Sequence, residues 1–133
     1  MPVLAWCPRH VYIVDSKPRD LDTVPDTSSL GDFEQLVLLA ILRLDSDAYA
    51  PGIRVAIETA AARRVTRGAL YSTLERLETK GYLQWRPDPN PGRRGGVPRR
   101  QFALTAPGLK ALRRSVAAVT ALTRGLERTL GSA

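Results

Sequence analysis

Residues 66–83 read T-R-G-A-L-Y-S-T-L-E-R-L-E-T-K-G-Y-L, and this stretch predicts a single helix with both of its ends marked. Thr66 belongs to the residue types that cap helix N-termini, and Gly81 suits the position just beyond a C-terminus. Apolar side chains recur at helical spacing and form one buried stripe of Leu70, Leu74 and Leu77. The opposite face is polar and consists of Arg67, Ser72, Glu75, Arg76 and Thr79. We therefore predict an amphipathic helix 3 over residues 66–80.

Two further helices are predicted on the N-terminal side of helix 3. Helix 1 covers residues 30–45, with Ser28 or Ser29 as its cap. Its apolar residues lie on almost every side, so it needs packing partners on more than one side and favours a second subunit. Helix 2 covers residues 51–62 and begins at Pro51, a residue that suits a first helical position.

A β-hairpin with a long basic connection is predicted after helix 3. Residues 82–86 and 100–104 alternate apolar and polar side chains, as half-buried strands do. The stretch that joins them, R-P-D-P-N-P-G-R-R-G-G-V-P-R-R-Q-F at 86–102, contains five arginines and one acid, Asp88. Its prolines and glycines disfavour regular structure. The expected result is a loop tethered at both ends that can touch an anionic partner.

A long terminal helix is predicted from Thr105, which can act as its N-cap, to about residue 130. Its apolar seam has heptad spacing and consists of Leu109, Leu112, Val116, Val119, Thr123, Leu126 and Leu130. Two interpretations remain open: the helix folds back on its own core, or it forms a dimer interface. The second is favoured because the seam is long.

The composition narrows the functional classes. The 133-residue chain has a net charge of +7, and the ten Lys/Arg and three Asp/Glu of residues 63–100 supply an excess of the same size. A basic block of this kind indicates an anionic partner. Cys7 is the only cysteine and His10 the only histidine, which excludes a four-ligand structural zinc site within one chain. No catalytic constellation, cofactor motif or metal site is recognisable, so an enzyme is not expected.

Membrane and export signals are not predicted either. The longest apolar run, residues 36–42, is too short to span a bilayer, and the first residues lack the pattern of a signal peptide. A cytoplasmic protein is expected. The predicted domain division is a disordered N-terminal extension over 1–28, a DNA-binding domain over 29–104 and a C-terminal dimerisation helix over 105–133.

The predicted order of elements is that of a winged helix-turn-helix, a mainly α fold with a small β-hairpin. Helix 3 would enter the major groove of double-stranded DNA, and the basic hairpin loop would contact the neighbouring backbone or minor groove. The candidate DNA-binding residues lie around helix 3 and in the hairpin loop: Arg63, Arg64, Thr66, Arg67, Gly68, Tyr71, Ser72, Arg76, Arg93, Arg94, Arg99 and Arg100. The candidate dimer-interface residues lie on helix 1 and in the terminal seam: Phe33, Val37, Ile41, Leu109, Leu112, Val116, Val119, Thr123, Leu126 and Leu130.

The sequence also resembles the PadR family of bacterial transcription regulators. The resemblance is carried by G-D-F-E-Q-L-V-L-L-A-I-L, A-Y-A-P-G-I-R-V-A-I-E, G-A-L-Y-S-T-L-E-R-L-E-T-K-G-Y-L and G-R-R-G-G-V-P-R-R-Q-F-A-L-T-A-P-G, over roughly residues 30–112. It implies a homodimer that binds operator DNA, usually as a repressor, with the terminal helix crossing helix 1 of the other subunit. It also implies that a small-molecule effector or another signal relieves repression, as in many members.

The chain departs from the family pattern at several positions. Ser72 stands where the family often has proline, and Gly52 stands where larger residues are common. The terminal helix has no aromatic residue, which disfavours the aromatic drug-stacking site of some members. The alternative function is a winged-helix dimer that binds a protein partner without specific DNA binding; nonspecific coating of nucleic acid is a weaker alternative.

Overall fold

The computed structural model describes residues 30–89 and 99–131, which form five helices and a two-stranded sheet. The helices are α1 (Asp32–Leu44), α2 (Ala50–Ala61), α3 (Arg67–Thr79), α4 (Ala106–Thr123) and α5 (Glu127–Leu130), with a 3-10 turn at Asp45–Asp47. The strands are β1 (Leu83–Pro87) and β2 (Arg100–Leu104). This order confirms the predicted winged helix-turn-helix. The N-terminal extension predicted over 1–28 and most of the hairpin connection lie outside the described residues.

The ends of α3 are the ones that the sequence predicts. The Thr66 Oγ1 accepts a hydrogen bond from the Ala69 N–H at 3.1 Å, which caps the N-terminus. At the C-terminus Gly81 has a φ of +83°, and the Gly81 and Tyr82 N–H groups donate to the Glu78 and Leu77 carbonyls. Only glycine adopts this backbone conformation without strain. Leu70, Leu74 and Leu77 are buried as predicted.

The cap predicted for α1 is wrong. The N-cap is Gly31 rather than Ser28 or Ser29. The Glu34 Oε1 accepts a hydrogen bond from the Gly31 N–H at 2.9 Å, so a side chain one turn into the helix satisfies the end. The helix therefore begins two residues later than its apolar pattern suggests.

The hairpin pairs β1 and β2 antiparallel, with Leu83 opposite Leu104 and Trp85 opposite Phe102. The outer edge of β2 is covered by the segment between α1 and α2. The Phe102 N–H donates to the Ala48 carbonyl at 2.9 Å, and the Gln101 side chain donates to the Ser46 carbonyl at 2.6 Å. The hairpin is thereby fixed to the helical body along one edge.

The core is built around α1, which contacts α2, α3, α4 and β2. Its fully buried side chains include Leu38, Ile41, Ile53, Leu70, Leu77 and Leu104. The hairpin meets α4 at an especially close contact, because a Cβ on Gly108 would lie 2.1 Å from the Tyr82 carbonyl oxygen. Only glycine fits there, and this contact fixes where α4 leaves the sheet.

The predicted continuous helix over residues 105–130 is wrong. Thr105 caps α4 as expected, with its Oγ1 accepting from the Gly108 N–H at 3.1 Å. The helix ends at Thr123, however, and α5 begins only at Glu127. Between them the backbone of Arg124 is extended, and Gly125 has a φ of +88°. A glycine in this conformation interrupts the helical hydrogen bonds, so the heptad seam does not continue unbroken.

Three predicted dimer-interface residues are corrected by their burial. Val37, Ile41 and Leu112 are at most 3 % exposed within the single chain, so they have no surface to offer a second subunit. Phe33, Leu109 and Val116 are partly buried against the same core. Helix α1 has apolar residues on most of its faces, and most of them pack within the same chain. They do so because α2, α3, α4 and β2 all surround α1.

Across residues 30–89 and 99–131, no helix combines the length and apolarity that crossing a bilayer requires.

Candidate nucleic-acid interface

The predicted recognition face of α3 is exposed along its whole length. Arg67, Gly68, Tyr71, Ser72 and Arg76 all lie at the surface, and the Tyr71 side chain is 45 % exposed. A Cβ on Gly68 would meet nothing within 4 Å, so the surface is open at this point. Because its apolar stripe is buried and its polar face is exposed, α3 can insert that polar face into the major groove of DNA.

A groove lies at the N-terminus of α3 and brings several predicted residues together. It is bounded by the start of α1, by the turn before α3 and by the first turns of α3 itself. Arg63, Arg64, Thr66 and Arg76 line it and are all exposed, and the acids Asp32 and Glu34 line its α1 side. The N-terminus of a helix carries partial positive charge and free N–H groups. The three arginines outnumber the two acids, and together with the helix dipole they make this surface attractive to phosphate.

The turn that presents this groove is held by α2. Ala62 ends α2 in the left-handed conformation, with a φ of +52°. Three residues later, the Val65 N–H donates to the Glu58 Oε2 at 2.8 Å, and Val65 itself is buried. The two fixed points leave Arg63 and Arg64 on the outer side of the turn.

The cations around the groove are held to different degrees. The Arg63 guanidinium lies 5.1 Å from the centre of the Phe33 ring, a cation–π contact that keeps it near α1. Phe33 therefore supports the groove in this chain. Within the two described parts of the chain, Arg64 and Arg67 have no ion-pair or hydrogen-bond partner. Their charges are open to an external anion.

Arg76 is paired with an acid that sequence reasoning did not identify. Glu75 lies next to Arg76 in the sequence, but the Arg76 guanidinium lies 3.8 Å from the Glu34 Oε2 of α1. Glu34 is buried, and it also forms an ion pair of 2.9 Å with the Lys80 ammonium. Glu78 instead accepts a hydrogen bond from the Trp85 indole at 3.1 Å. Arg76 is half exposed and remains reachable from outside.

The Glu34 carboxyl is kept charged by its neighbours. Burial by itself raises its pKa, but the Gly31 N–H and the Lys80 ammonium outweigh this and leave the pKa below its ordinary value. The interaction stabilises the fold above the ordinary glutamate pKa, and the stabilisation is lost as the pH falls through the lowered value. Glu34 thus ties α1 to the far end of α3.

Two of the described hairpin arginines, Arg99 and Arg100, rest on aromatic rings. The Arg100 guanidinium lies 4.3 Å from the Trp85 ring centre, and the Arg99 guanidinium lies 4.2 Å from that of Tyr49. Arg99 is also 3.5 Å from the Asp88 carboxylate. The hydrogen bond from the Trp85 indole to Glu78 links the hairpin to α3. Arg93 and Arg94 lie outside the described residues.

Tyr49 and Asp88 were not among the candidate site residues, yet they lie next to the hairpin arginines. The Tyr49 hydroxyl donates to the Asp88 Oδ1 at 3.0 Å, and Asp88 is only 7 % exposed. Burial of Tyr49 and its hydrogen bond to the Asp88 carboxylate raise the pKa of the phenol. A signal did exist, because Asp88 is the only acid among the five arginines of residues 86–102. Its partner, however, is 39 positions away in sequence.

In residues 30–89 and 99–131, no three His, Cys, Asp or Glu side chains come together in a way that would hold a metal ion.

Comparisons with known proteins agree with this geometry. A family model described as the transcriptional regulator PadR-like family matches residues 38–114, which is more than half of the chain. Among solved structures, a PadR-like transcription factor from Bacteroides fragilis is similar, with 25% sequence identity and a TM-score of 0.58. The match covers 80% of this chain and 96% of that one. No protein with a curated description matches the sequence significantly.

Proposed function

Because the chain belongs to the PadR-like family of transcriptional regulators, we propose that it binds double-stranded operator DNA as a homodimer and acts as a repressor. In this proposal α3 enters the major groove and the arginine-rich hairpin contacts the flanking backbone. The role is that of a regulator and requires no catalytic group.

The observation that carries the proposal is the groove at the N-terminus of α3, in which three arginines outnumber two acids. Arg63, Arg64 and Arg76 line one groove beside a helix N-terminus, and Arg67 begins the helix itself. Phosphate contacts of this kind fix the register of a recognition helix on a duplex, and the exposed side chains further along the helix then meet base edges. Tyr71 and Ser72 occupy that position on α3.

The hairpin supports the same mode of binding. Arg100 is exposed, and a cation–π contact holds its guanidinium over the Trp85 ring. Arg93 and Arg94, in the connection between the strands, are proposed to contact phosphate beside the site of α3. Arginine is suited to this role because its planar fork can form two hydrogen bonds with one phosphate.

The homodimer is proposed on the basis of two apolar surfaces of the single chain. One is the exposed end of the terminal helices, which presents Val119, Leu122, Leu126 and Leu130. The other is a groove between α1 and α2, lined chiefly by Leu36, Leu39, Ala40, Leu42 and Ala56. Exposing either apolar surface to water costs free energy. In a two-fold dimer the terminal helices of one copy can fill the α1–α2 groove of the other, which buries both surfaces. Val119, Leu126 and Leu130 thus remain proposed interface residues.

A two-fold dimer implies a palindromic operator. The two α3 helices would contact equivalent half-sites, separated by one helical turn of DNA or a multiple of it. A small-molecule effector would regulate binding if it favoured a dimer in which the two helices are spaced differently.

The decisive experiment is fluorescence anisotropy with DNA from the region upstream of the protein's own gene, compared with scrambled DNA over a salt series. We expect tight binding to the first and weaker binding to the second. The logarithm of the affinity should fall with the logarithm of salt concentration, by roughly 0.9 for each phosphate contacted. Equal weak binding to both DNAs would reject specific recognition and favour the protein-partner alternative.

A matched pair of variants locates the contact. Arg64→Ala should weaken binding to every duplex and reduce the salt slope by about 1, because one phosphate contact is lost. Arg113→Ala removes the same charge from an exposed position on α4 and should leave both quantities unchanged. If the two variants behaved alike, net charge rather than the groove of α3 would account for the binding.

A further inference from the structure

Asp88 is a negatively charged residue in the arginine-rich segment that is proposed to bind DNA phosphates, and DNA binding does not explain its presence there. It is the only carboxylate between Glu78 and Glu127, and it stands in the most basic stretch of the chain. On a surface that binds phosphate, a negative charge should weaken binding. Asp88 is nevertheless buried, with 7 % of its surface exposed, and a buried charge is costly unless it is paired.

Both oxygens of the Asp88 carboxylate have partners. Its Oδ1 accepts from the Tyr49 hydroxyl at 3.0 Å, and its Oδ2 lies 3.5 Å from the Arg99 guanidinium. The Arg99 guanidinium in turn lies over the Tyr49 ring, 4.2 Å from its centre. Carboxylate, phenol and guanidinium thus contact one another pairwise. We call these three residues, Tyr49, Asp88 and Arg99, the hairpin clamp.

The hairpin clamp lies where the arginine-bearing connection joins the domain. Asp88 directly follows β1 and Arg99 directly precedes β2, so residues 89–98 begin and end at the clamp. The Asp88 N–H donates to the Arg99 carbonyl at 2.7 Å, which closes the hairpin ladder at this point. Tyr49 is the N-cap residue of α2 and therefore belongs to the helix-turn-helix body. The clamp ties both ends of the connection to that body.

We propose that Tyr49 and Asp88 are positioning residues for DNA binding, because through Arg99 they fix the direction in which the arginine-rich connection leaves the domain. The inference rests on the proposed function. Removing a partner from a buried carboxylate is costly, so directions of the hairpin that separate Arg99 from Asp88 are disfavoured. In this proposal Arg99 does not bind phosphate itself, and instead orients the neighbouring arginines of the connection. A connection that is oriented in advance loses less entropy when it binds.

The proposal predicts an effect whose sign is opposite to that of simple electrostatics. Asp88→Asn raises the net charge by one, which by charge alone would tighten DNA binding. If the clamp orients the connection, Asp88→Asn should instead raise Kd about tenfold and lower the salt slope, because fewer phosphates are held. Tyr49→Phe keeps the ring under Arg99 and removes only the hydroxyl, so it should raise Kd about threefold, within the range expected for one hydrogen bond.

The matched control is Asp47→Asn, which removes a charge from an exposed residue of the neighbouring 3-10 turn. It should leave Kd unchanged or lower it. Each variant is measured again in a chain that also carries Arg93→Ala and Arg94→Ala. There the two clamp substitutions should have almost no further effect, because the charges that the clamp orients are absent. Melting curves of all the proteins identify any variant that fails to fold, and Tyr49→Phe is the milder substitution if Asp88→Asn does.

The outcomes are distinct. The proposal is overturned if Asp88→Asn and Tyr49→Phe bind DNA at least as tightly as the unmodified chain. It is also overturned if they lose the same factor in both backgrounds, since that would indicate a general loss of structure. Failure of the unmodified chain to distinguish its upstream DNA from scrambled DNA would reject the proposed function first, and the clamp with it.

Discussion

The two ends of α4 lie in opposite environments. At its start, Gly108 packs directly on the Tyr82 carbonyl, and Ala111 and Leu112 are buried in the core. At its far end, Val119 is 50 % exposed and Leu122 is 77 % exposed. Both halves have the same heptad pattern of apolar residues, so the pattern alone does not reveal which half packs within the chain.

This difference in burial divides α4 into a first half that packs in the core and a second half that is exposed. Its first turns complete the core of the winged helix-turn-helix, and the matched family region ends at residue 114, close to where burial ends. Its last turns have no partner among the described residues of the single chain, and we propose that they meet a second copy. Substitutions near the start should therefore change folding, while those near the end should change association.

The largest effect is expected at Gly108. In Gly108→Ala the added methyl group would lie 2.1 Å from a backbone carbonyl oxygen, which cannot turn away as a side chain can. We expect a loss of at least about 4 kcal/mol in the free energy of unfolding, a large part of the stability of a small domain. Urea denaturation followed by circular dichroism measures this. Gly52→Ala is the control, because its methyl group would meet nothing closer than 3.6 Å and should stabilise α2 by up to about 1 kcal/mol.

The second largest effect on the free energy of unfolding is expected at Leu112, and it is compared with the effect at Leu122 on the same helix. Leu112→Ala empties a buried site and should lower the free energy of unfolding by about 3 kcal/mol. Leu122→Ala removes an exposed side chain and should change the stability of the monomer by less than about 0.5 kcal/mol. It should instead raise the dissociation constant of the dimer at least about tenfold, which sedimentation equilibrium measures. Equal stability losses in the two variants would contradict the division of α4 into two halves.

A smaller effect is expected at the N-cap of α4. The Thr105 hydroxyl accepts from the Gly108 N–H and donates to the Gly81 carbonyl at 2.6 Å, so it joins α4 to the end of α3. Thr105→Ala should cost about 1–2 kcal/mol, measured by urea denaturation. Thr120→Ala, at an exposed position of the same helix, should change stability by less than half as much.

The smallest effect on stability is expected at the break between α4 and α5. Gly125 has a φ of +88°, and a Cβ there would meet nothing within 4 Å. Gly125→Ala should therefore favour a helix that runs through residues 124–126, at a change in stability of less than about 1 kcal/mol. The expected readout is a stronger circular dichroism signal at 222 nm. An unchanged signal would mean that the break is held by more than the glycine.

The sequence predicted the order of elements and most of their ends correctly. Thr66, Gly81 and Thr105 were identified because each acts on backbone groups within a few residues of itself, so the signal is local. The unbroken terminal helix was a wrong prediction, although the glycine at position 125 was a local signal against it. The periodicity of apolar residues predicted the exposed face of α3. It did not predict that Arg76 pairs with Glu34 or that Arg63 lies on the Phe33 ring.

What the sequence by itself determined is therefore what short-range hydrogen bonds and apolar periodicity specify: the three helices, the hairpin and the basic stretch within it. The tertiary structure alone decided which charges are paired. Glu34 meets Lys80 across 46 positions, and Tyr49 meets Asp88 across 39. It also decided that Val37, Ile41 and Leu112 belong to the core of one chain. Such contacts depend on how separate elements pack, because burial makes an unpaired charge costly only after the elements have come together.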